Sequence, residues 1–226
     1  MELAIDTSTD MASIALVQDS RVLAELTWRC GQNHTVELLP QLNHLLNQTG
    51  VNFQSISGII VAKGPGGFNG LRVGVSTAKG LAFSLKVPIV GIGTLEVEAY
   101  QHAETGLPIC PIFNAGRGEI AAAIYQEKGG EWRQLTSEQI TTVEALWSQK
   151  TTKTVFCGEL IPSIATQLTK RLKQRAVILS SPAKLRRASF LAELGLSRLK
   201  RGNYDNPTTL QPLYLRRPPI TKPKHR

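Results

Sequence analysis

The sequence predicts an α/β protein of two duplicated lobes, each a mixed sheet flanked by helices. Three observations carry this. The order of three strands, helix, strand, helix, strand, helix runs through the chain twice. Short continuous apolar runs such as "GIIVA" at 58–62 are the mark of parallel strands covered on both faces. A chain of 226 residues is long enough to give two lobes a shared core.

The elements justify themselves in turn. "LAID" (3–6), "ASIALV" (12–17) and "RVLAELTW" (21–28) are β-type runs joined by polar turns, a three-strand meander. Leu38, Leu39, Leu42, Leu45 and Leu46 then recur at helical spacing up to Gly50. Pro40 is tolerated in a first turn, so that helix is expected to begin near Val36. Strand 58–62, a glycine loop, helix 70–86, strand 87–93 and helix 94–102 complete the first lobe. The second repeats the order: "PICPIFNA", "GEIAAAIYQ" and "EWRQLT" as a meander, "TVEALWSQ" as helix, and "KTVFCG" as strand. "IPSIATQLTKRLKQ" is a helix, "AVILS" a strand, and "SFLAELGLSRLKRG" a last helix with Ser189 as expected N-cap. The boundaries are 1–105, 106–202, and a basic, proline-rich tail at 203–226 expected to be extended or disordered. Only "ETGLP" separates the lobes, so they should pack together.

Composition narrows the function. The start "MELAIDTS" has no basic, apolar and cleavage regions of a signal peptide, and no apolar run spans a bilayer. Cys30, Cys110 and Cys157 are odd in number and far apart, which fits reduced thiols in a cytoplasm better than a disulfide frame or a zinc site. Charge is uneven: residues 1–169 carry 11 Lys and Arg against 15 Asp and Glu, net −4, and residues 170–226 carry 15 against 2, net +13. That asymmetry fits a polyanionic partner such as nucleic acid, with Arg216, Arg217, Lys222 and Lys224 as candidate contacts; it equally fits a solvated helix and tail.

The stretch "KGPGGFNGLRVGVSTAKGLAF" (63–83) raises the question of a phosphate site. It fails the Walker A spacing, because Gly70 is followed by Leu71 and Arg72. It fails the dinucleotide fingerprint, because Asn69 stands at the third glycine position. The helix offers another account. Gly70, Gly74, Ala78 and Ala82 recur every four residues on one face, with Val75, Thr77 and Leu81 beside them. Glycine inside a helix costs roughly 1 kcal/mol relative to alanine, and both Gly74 and Gly80 sit there. Either close approach of a partner helix or packing on the chain's own sheet offsets that cost.

"LAIDTSTDMASIAL", "HTVELLPQLNHLL", "GPGGFNGLRVGVSTAKGLAF", "VPIVGIGTLEVEA", "NAGRGEIAAAIY" and "LQPLYLRRP", in this order and spacing, resemble the TsaB (YeaZ) family over nearly the whole chain. The resemblance implies the ASKHA fold of actin, Hsp70 and sugar kinases. It implies a non-catalytic scaffold for TsaD, which carries the transfer chemistry and metal in making N6-threonylcarbamoyladenosine at position 37 of ANN-decoding tRNAs. TsaC supplies threonylcarbamoyl-adenylate in that pathway, and TsaE is an ATPase of the complex. Pairing with TsaD, or with a second copy, is implied to use the helices matching 36–48 and 70–86. The expected interface is therefore Leu38, Leu42, Gly70, Leu71, Gly74, Val75, Thr77, Ala78, Leu81 and Ala82.

Metal chemistry of the TsaD kind needs two histidines close together on one helix. His34 and His44 are ten apart, about 15 Å of helical rise, so they cannot share an ion. His34 falls where the family reads "HSE" and is expected to cap or pack at a helix start. No metal site or cofactor of the chain itself is expected, and ATP or ADP only at an interface with a partner. Asp6, Thr7 and Ser8 form the turn that approaches nucleotide phosphates in ASKHA kinases, and equally suit an Asx-turn closing a hairpin. The chain departs from family wording at Gly67, Asn69 and Asn114; the last removes a carboxylate near the interlobe cleft. The competing reading is a small ASKHA ATPase or phosphotransferase using Asp6. Membrane association is not expected.

Overall fold

The computed structural model describes residues 1–148, 152–159, 162–179 and 185–216. In the first sheet β1 (Glu2–Asp6), β2 (Met11–Gln18) and β3 (Arg21–Arg29) form the expected antiparallel meander. Helix α1 (His34–Thr49) follows, then β4 (Gly58–Gly64), α2 (Phe68–Leu85), β5 (Ile89–Gly93) and α3 (Thr94–Tyr100). β4 and β5 pair in parallel beside β1, giving the order β3-β2-β1-β4-β5.

The second half repeats it. β6 (Ile109–Gly116), β7 (Glu119–Lys128) and β8 (Glu131–Thr141) form a meander. Then come α4 (Val143–Ser148), β9 (Thr154–Gly158), α5 (Pro162–Leu172), β10 (Ala176–Ile178) and α6 (Ala188–Lys200). The sheet order β10-β9-β6-β7-β8 is the first sheet's order over again. The ASKHA duplication is thus visible in topology alone.

Period-two side-chain alternation sorts each central strand onto two faces. Leu3, Ile5, Ile14, Leu16, Ile59 and Val61 point toward α1 and α2, while Ala4, Ala15, Val17, Ile60 and Ala62 point the other way. That second face is covered by Ala188, Leu191, Ala192 and Leu196 of α6, a helix that chain order places in the second half. Conversely Leu95 and Ala99 of α3 pack on Ile109, Phe113, Ala123 and Val155 of the second sheet. The inner helices are exchanged, so the split at 105/106 describes the sequence while packing crosses it.

Several boundaries differ from expectation for local reasons. α1 begins at His34, two residues early, which places Pro40 inside it. The amide that Pro40 lacks would have met the Val36 carbonyl on the exposed face, where water replaces it. Ser189 is not the N-cap of α6: Arg187 is, and strand side chains satisfy the first amides. The N–H of Ala188 donates to Ser13 Oγ at 3.0 Å and that of Ser189 to Glu25 Oε1 at 2.8 Å.

Residues 203–216 take the extended alternative of the sequence expectation and dock on the first lobe. The Asp205 N–H donates to the Ile89 carbonyl at 2.9 Å, and Asp205 Oδ2 accepts the Gly91 N–H at 2.8 Å, so the open edge of β5 is covered. Leu210 then enters the core, and the Leu213 N–H donates to the Lys63 carbonyl at 2.6 Å.

Candidate functional site at the lobe seam and the helical face

Asp6 ends β1 at the seam between the lobes, where its neighbours come from both. The N–H of Ser8 donates to Asp6 Oδ1 at 2.9 Å and the Ser8 hydroxyl at 2.6 Å, the expected Asx-turn. What the sequence reading missed is Arg186. Its Nε donates to Asp6 Oδ2 at 2.5 Å and its Nη2 to Ser8 Oγ at 2.7 Å, while Nη1 lies 3.7 Å from Glu98 Oε2. The guanidinium also lies over the Phe113 ring at 5.3 Å. Side-chain exposure is 6% for Arg186 and 1% for Asp6.

The electrostatics follow from that geometry. Burial pushes the Asp6 carboxyl upward, but the charge and hydrogen bond of Arg186, with the Ser8 bonds, outweigh it and hold Asp6 below the usual range. Burial likewise disfavours the charged Arg186, and Asp6, Glu98 and Glu159 overcome that to raise it. Thr7 is also committed, its hydroxyl donating to the Gly70 carbonyl at 2.8 Å. Asp6, Thr7 and Ser8 therefore spend polar atoms on partners inside the chain, the Asx-turn alternative of the sequence expectation. An interlobe cavity of about 390 Å³ does exist beside them, lined by Ser8, Asp10, Gly66, Asn114, Glu159 and Tyr214.

The glycines of 63–83 have structural partners. A Cβ on Gly66 would stand 2.2 Å from the Ser8 carbonyl, on Gly70 2.2 Å from that of Thr7, and on Gly74 2.1 Å from Thr7 Oγ1. The Gly67 N–H donates to the Ser8 carbonyl at 2.7 Å. His34 packs against Gly70, and its Nε2 lies 2.8 Å from the Thr9 carbonyl; a carbonyl only accepts, so Nε2 carries the proton. The turn 6–9 thus nests in the start of α2.

This geometry corrects the expected partner face. Leu38, Leu42, Gly70, Leu71, Gly74, Val75, Ala78 and Ala82 are all buried within the chain. A group already covered by its own sheet offers a partner nothing. Of the ten expected residues only Thr77 and Leu81 reach the surface. Around the helix from the buried stripe, Gly80 is exposed and a Cβ there would meet nothing within 4 Å. On α1, Val36 is 68% and Leu39 52% exposed, and Phe83 on α2 is 80% exposed.

The expected tRNA contacts fare differently. Arg216 is ion-paired with Glu119 on β7. Arg217, Lys222 and Lys224 lie outside the described residues. Part of the basic excess is ion-paired within the chain, Arg187 with Glu25 and Arg198 with Asp205 at 3.2 Å, while the Lys200 ammonium donates to Ser20 Oγ at 3.0 Å. Among the described residues no helix is long and apolar enough to cross a membrane.

Duplicated sheets with exchanged inner helices define a TsaD-like protein of the ASKHA fold, and the family model described as "TsaD: tRNA N6-adenosine threonylcarbamoyltransferase" matches residues 28–220. The chain belongs to that family, and within it is similar to proteins named TsaB and YeaZ. It is 41% identical over 137 residues to "tRNA threonylcarbamoyladenosine biosynthesis protein TsaB" of Bacillus subtilis, a match covering 61% of this chain and 60% of that protein. The Escherichia coli protein of the same name is 32% identical over 145 residues, covering 63% and 62%. The matched region thus spans somewhat under two thirds of these relatives. The structure of YeaZ from Pseudomonas aeruginosa superposes with a TM-score of 0.81 at 27% identity, covering 95% of this chain and 99% of that one.

Proposed function

We propose that this chain is a scaffold subunit in the synthesis of threonylcarbamoyladenosine in tRNA, holding a TsaD-class transferase against the outer faces of α1 and α2. The names of its relatives supply the process. The observation that carries the scaffold role is Gly80. A glycine inside a helix costs about 1 kcal/mol, and among the described residues a Cβ at this one would meet nothing within 4 Å. With Val73, Thr77 and Leu81 at helical spacing, and Val36 and Leu39 on α1, it makes a shallow apolar surface suited to another helix pair. The same surface serves a second copy of the chain. TsaE joins the assembly, ATP or ADP binds only at the seam between subunits, and tRNA is engaged through the complex.

The chain carries no transfer chemistry in this reading. The carboxylate that an ASKHA phosphotransferase presents to a metal–nucleotide complex is here Asp6, and Arg186 occupies it. Co-expression with TsaD from the same source, followed by affinity capture and size-exclusion chromatography with and without ATP, tests the proposal. Wild type is expected to elute as a complex; Gly80→Arg and Leu39→Arg are expected to abolish it while leaving the circular dichroism spectrum unchanged. Normal capture by both variants overturns the face. Micromolar binding of ATP with Mg²⁺ to the isolated chain by calorimetry favours the phosphotransferase reading.

A further inference from the structure

Behind Arg186, three potential ligand atoms of three different kinds converge. Glu98 lies on α3, His102 four residues later in the turn that follows, and Cys157 near the end of β9. One carboxylate oxygen, one imidazole nitrogen and the thiol sulfur all lie within 4.8 Å of one another. We propose that Glu98, His102 and Cys157 form a binding site for a single divalent cation of the zinc class.

The donor set argues for that class. Thiolate and imidazole select borderline ions such as Zn²⁺ and Co²⁺, whereas magnesium and calcium take oxygen ligands. In a tetrahedral zinc site with bonds of about 2.0–2.3 Å, neighbouring ligand atoms stand roughly 3.3–3.8 Å apart. The observed 4.8 Å limit therefore needs a contraction of about 1 Å, within reach of side-chain rotation. Three protein ligands leave one position for water or a fourth donor.

Charge balance is the second argument. Asp6, Glu98 and Glu159 act electrostatically on Arg186, the guanidinium that pairs with Asp6 and Glu98. A divalent ion, with Cys157 binding as thiolate, adds net positive charge beside these carboxylates. Arg186 remains on Asp6 and Glu98 and serves to orient the Glu98 carboxylate, as outer-shell partners of metal ligands do. The location is meaningful too. Cys157 belongs to the second sheet and Glu98 to the helix that crosses to it, so an ion there ties the exchanged helix down.

The test uses the full chain, stripped with chelator and titrated with Co²⁺ and then Zn²⁺. One equivalent of Co²⁺ should bind and give a thiolate-to-cobalt charge-transfer band in the near ultraviolet, and Zn²⁺ should displace it and raise the Tm by a few degrees. Cys157→Ser should lose the band. His102→Ala, at a partly exposed position that need not disturb the core, should weaken binding by at least about tenfold. Cys30→Ser and Cys110→Ser should leave band and stoichiometry unchanged. Absence of stoichiometric binding by wild type, or a band that survives Cys157→Ser, overturns the assignment. So does unaltered affinity in His102→Ala.

Discussion

Arg186 and Asp6 lie 180 residues apart in the chain, yet Arg186 Nε is 2.5 Å from Asp6 Oδ2 with both side chains almost wholly buried. This pair engages the carboxylate that ends β1 and joins the segment leading into α6 to it.

Removing Arg186 should therefore be severe. Arg186→Ala leaves the Asp6 carboxylate in the interior without its cation, and loss of one partner of a buried ion pair costs about 3–5 kcal/mol. The double variant Arg186→Met with Asp6→Asn should recover part of that, because the Asp6 position then holds no buried charge while Glu98 keeps its own. Urea denaturation of the three chains measures it. The pH dependence has a defined sign. The folded Asp6 carboxyl lies below its ordinary value of 3.8, so its contribution is complete above that pH and is lost as pH falls through the depressed folded value. Below about pH 4, Asp6→Asn should lose stability less steeply than wild type.

Two glycines of α2 should answer the same substitution with opposite signs. Gly74→Ala drives a methyl to within 2.1 Å of Thr7 Oγ1 and should destabilise by about 1–3 kcal/mol. Gly80→Ala meets open space and should stabilise by about 0.5–1 kcal/mol. Gly74→Leu and Ala78→Arg, which would be clean interface probes on a surface stripe, should instead unfold the chain. Thermal melts beside affinity capture with TsaD separate the two effects.

Glu138 should penalise the fold at neutral pH. It faces Glu96 across a seam cavity of about 680 Å³ lined also by Tyr125, Trp132 and Lys63. Burial raises the Glu138 carboxyl, the Tyr125 hydroxyl bond lowers it and the charge of Glu96 raises it; the net is above the ordinary 4.5. Above that ordinary value the folded chain holds the proton more tightly than the unfolded one, so stability falls as pH rises to the folded value and stays reduced beyond it. Glu138→Gln keeps an acceptor for Tyr125 and removes the charge. It should raise the Tm by a few degrees at pH 7, the shift that about 1 kcal/mol gives in a chain of this size, and change it little at pH 4.

Asp205 should protect the β5 edge. It accepts the Gly91 N–H and pairs with Arg198, so Asp205→Ala leaves a strand amide without its acceptor and removes the ion pair of Arg198, at a cost of about 1–3 kcal/mol. Hydrogen exchange at Gly91 should accelerate in the variant while β1 stays protected. Unchanged exchange would show that the tail contributes nothing to the edge.

The linear pattern of residues determined the elements, their duplicated order and the family. Each depends on local periodicity: apolar runs at 58–62, leucines at helical spacing in α1, and small residues four apart in α2. It could not determine which surface those small residues meet. Gly70 and Gly74 read alike as a partner's landing strip or a nest for the chain's own turn, because spacing fixes a face and not its neighbour. Tertiary packing decided it, bringing Thr7 and His34 onto that face and leaving Gly80 outward. Arg216, a candidate tRNA contact in the sequence, and Arg186, which no motif singled out, were likewise claimed by Glu119 and Asp6 from distant strands. Long-range pairing of this kind leaves no periodic trace in a sequence, since its partners are set only once the sheets, the exchanged helices and the tail close around one another.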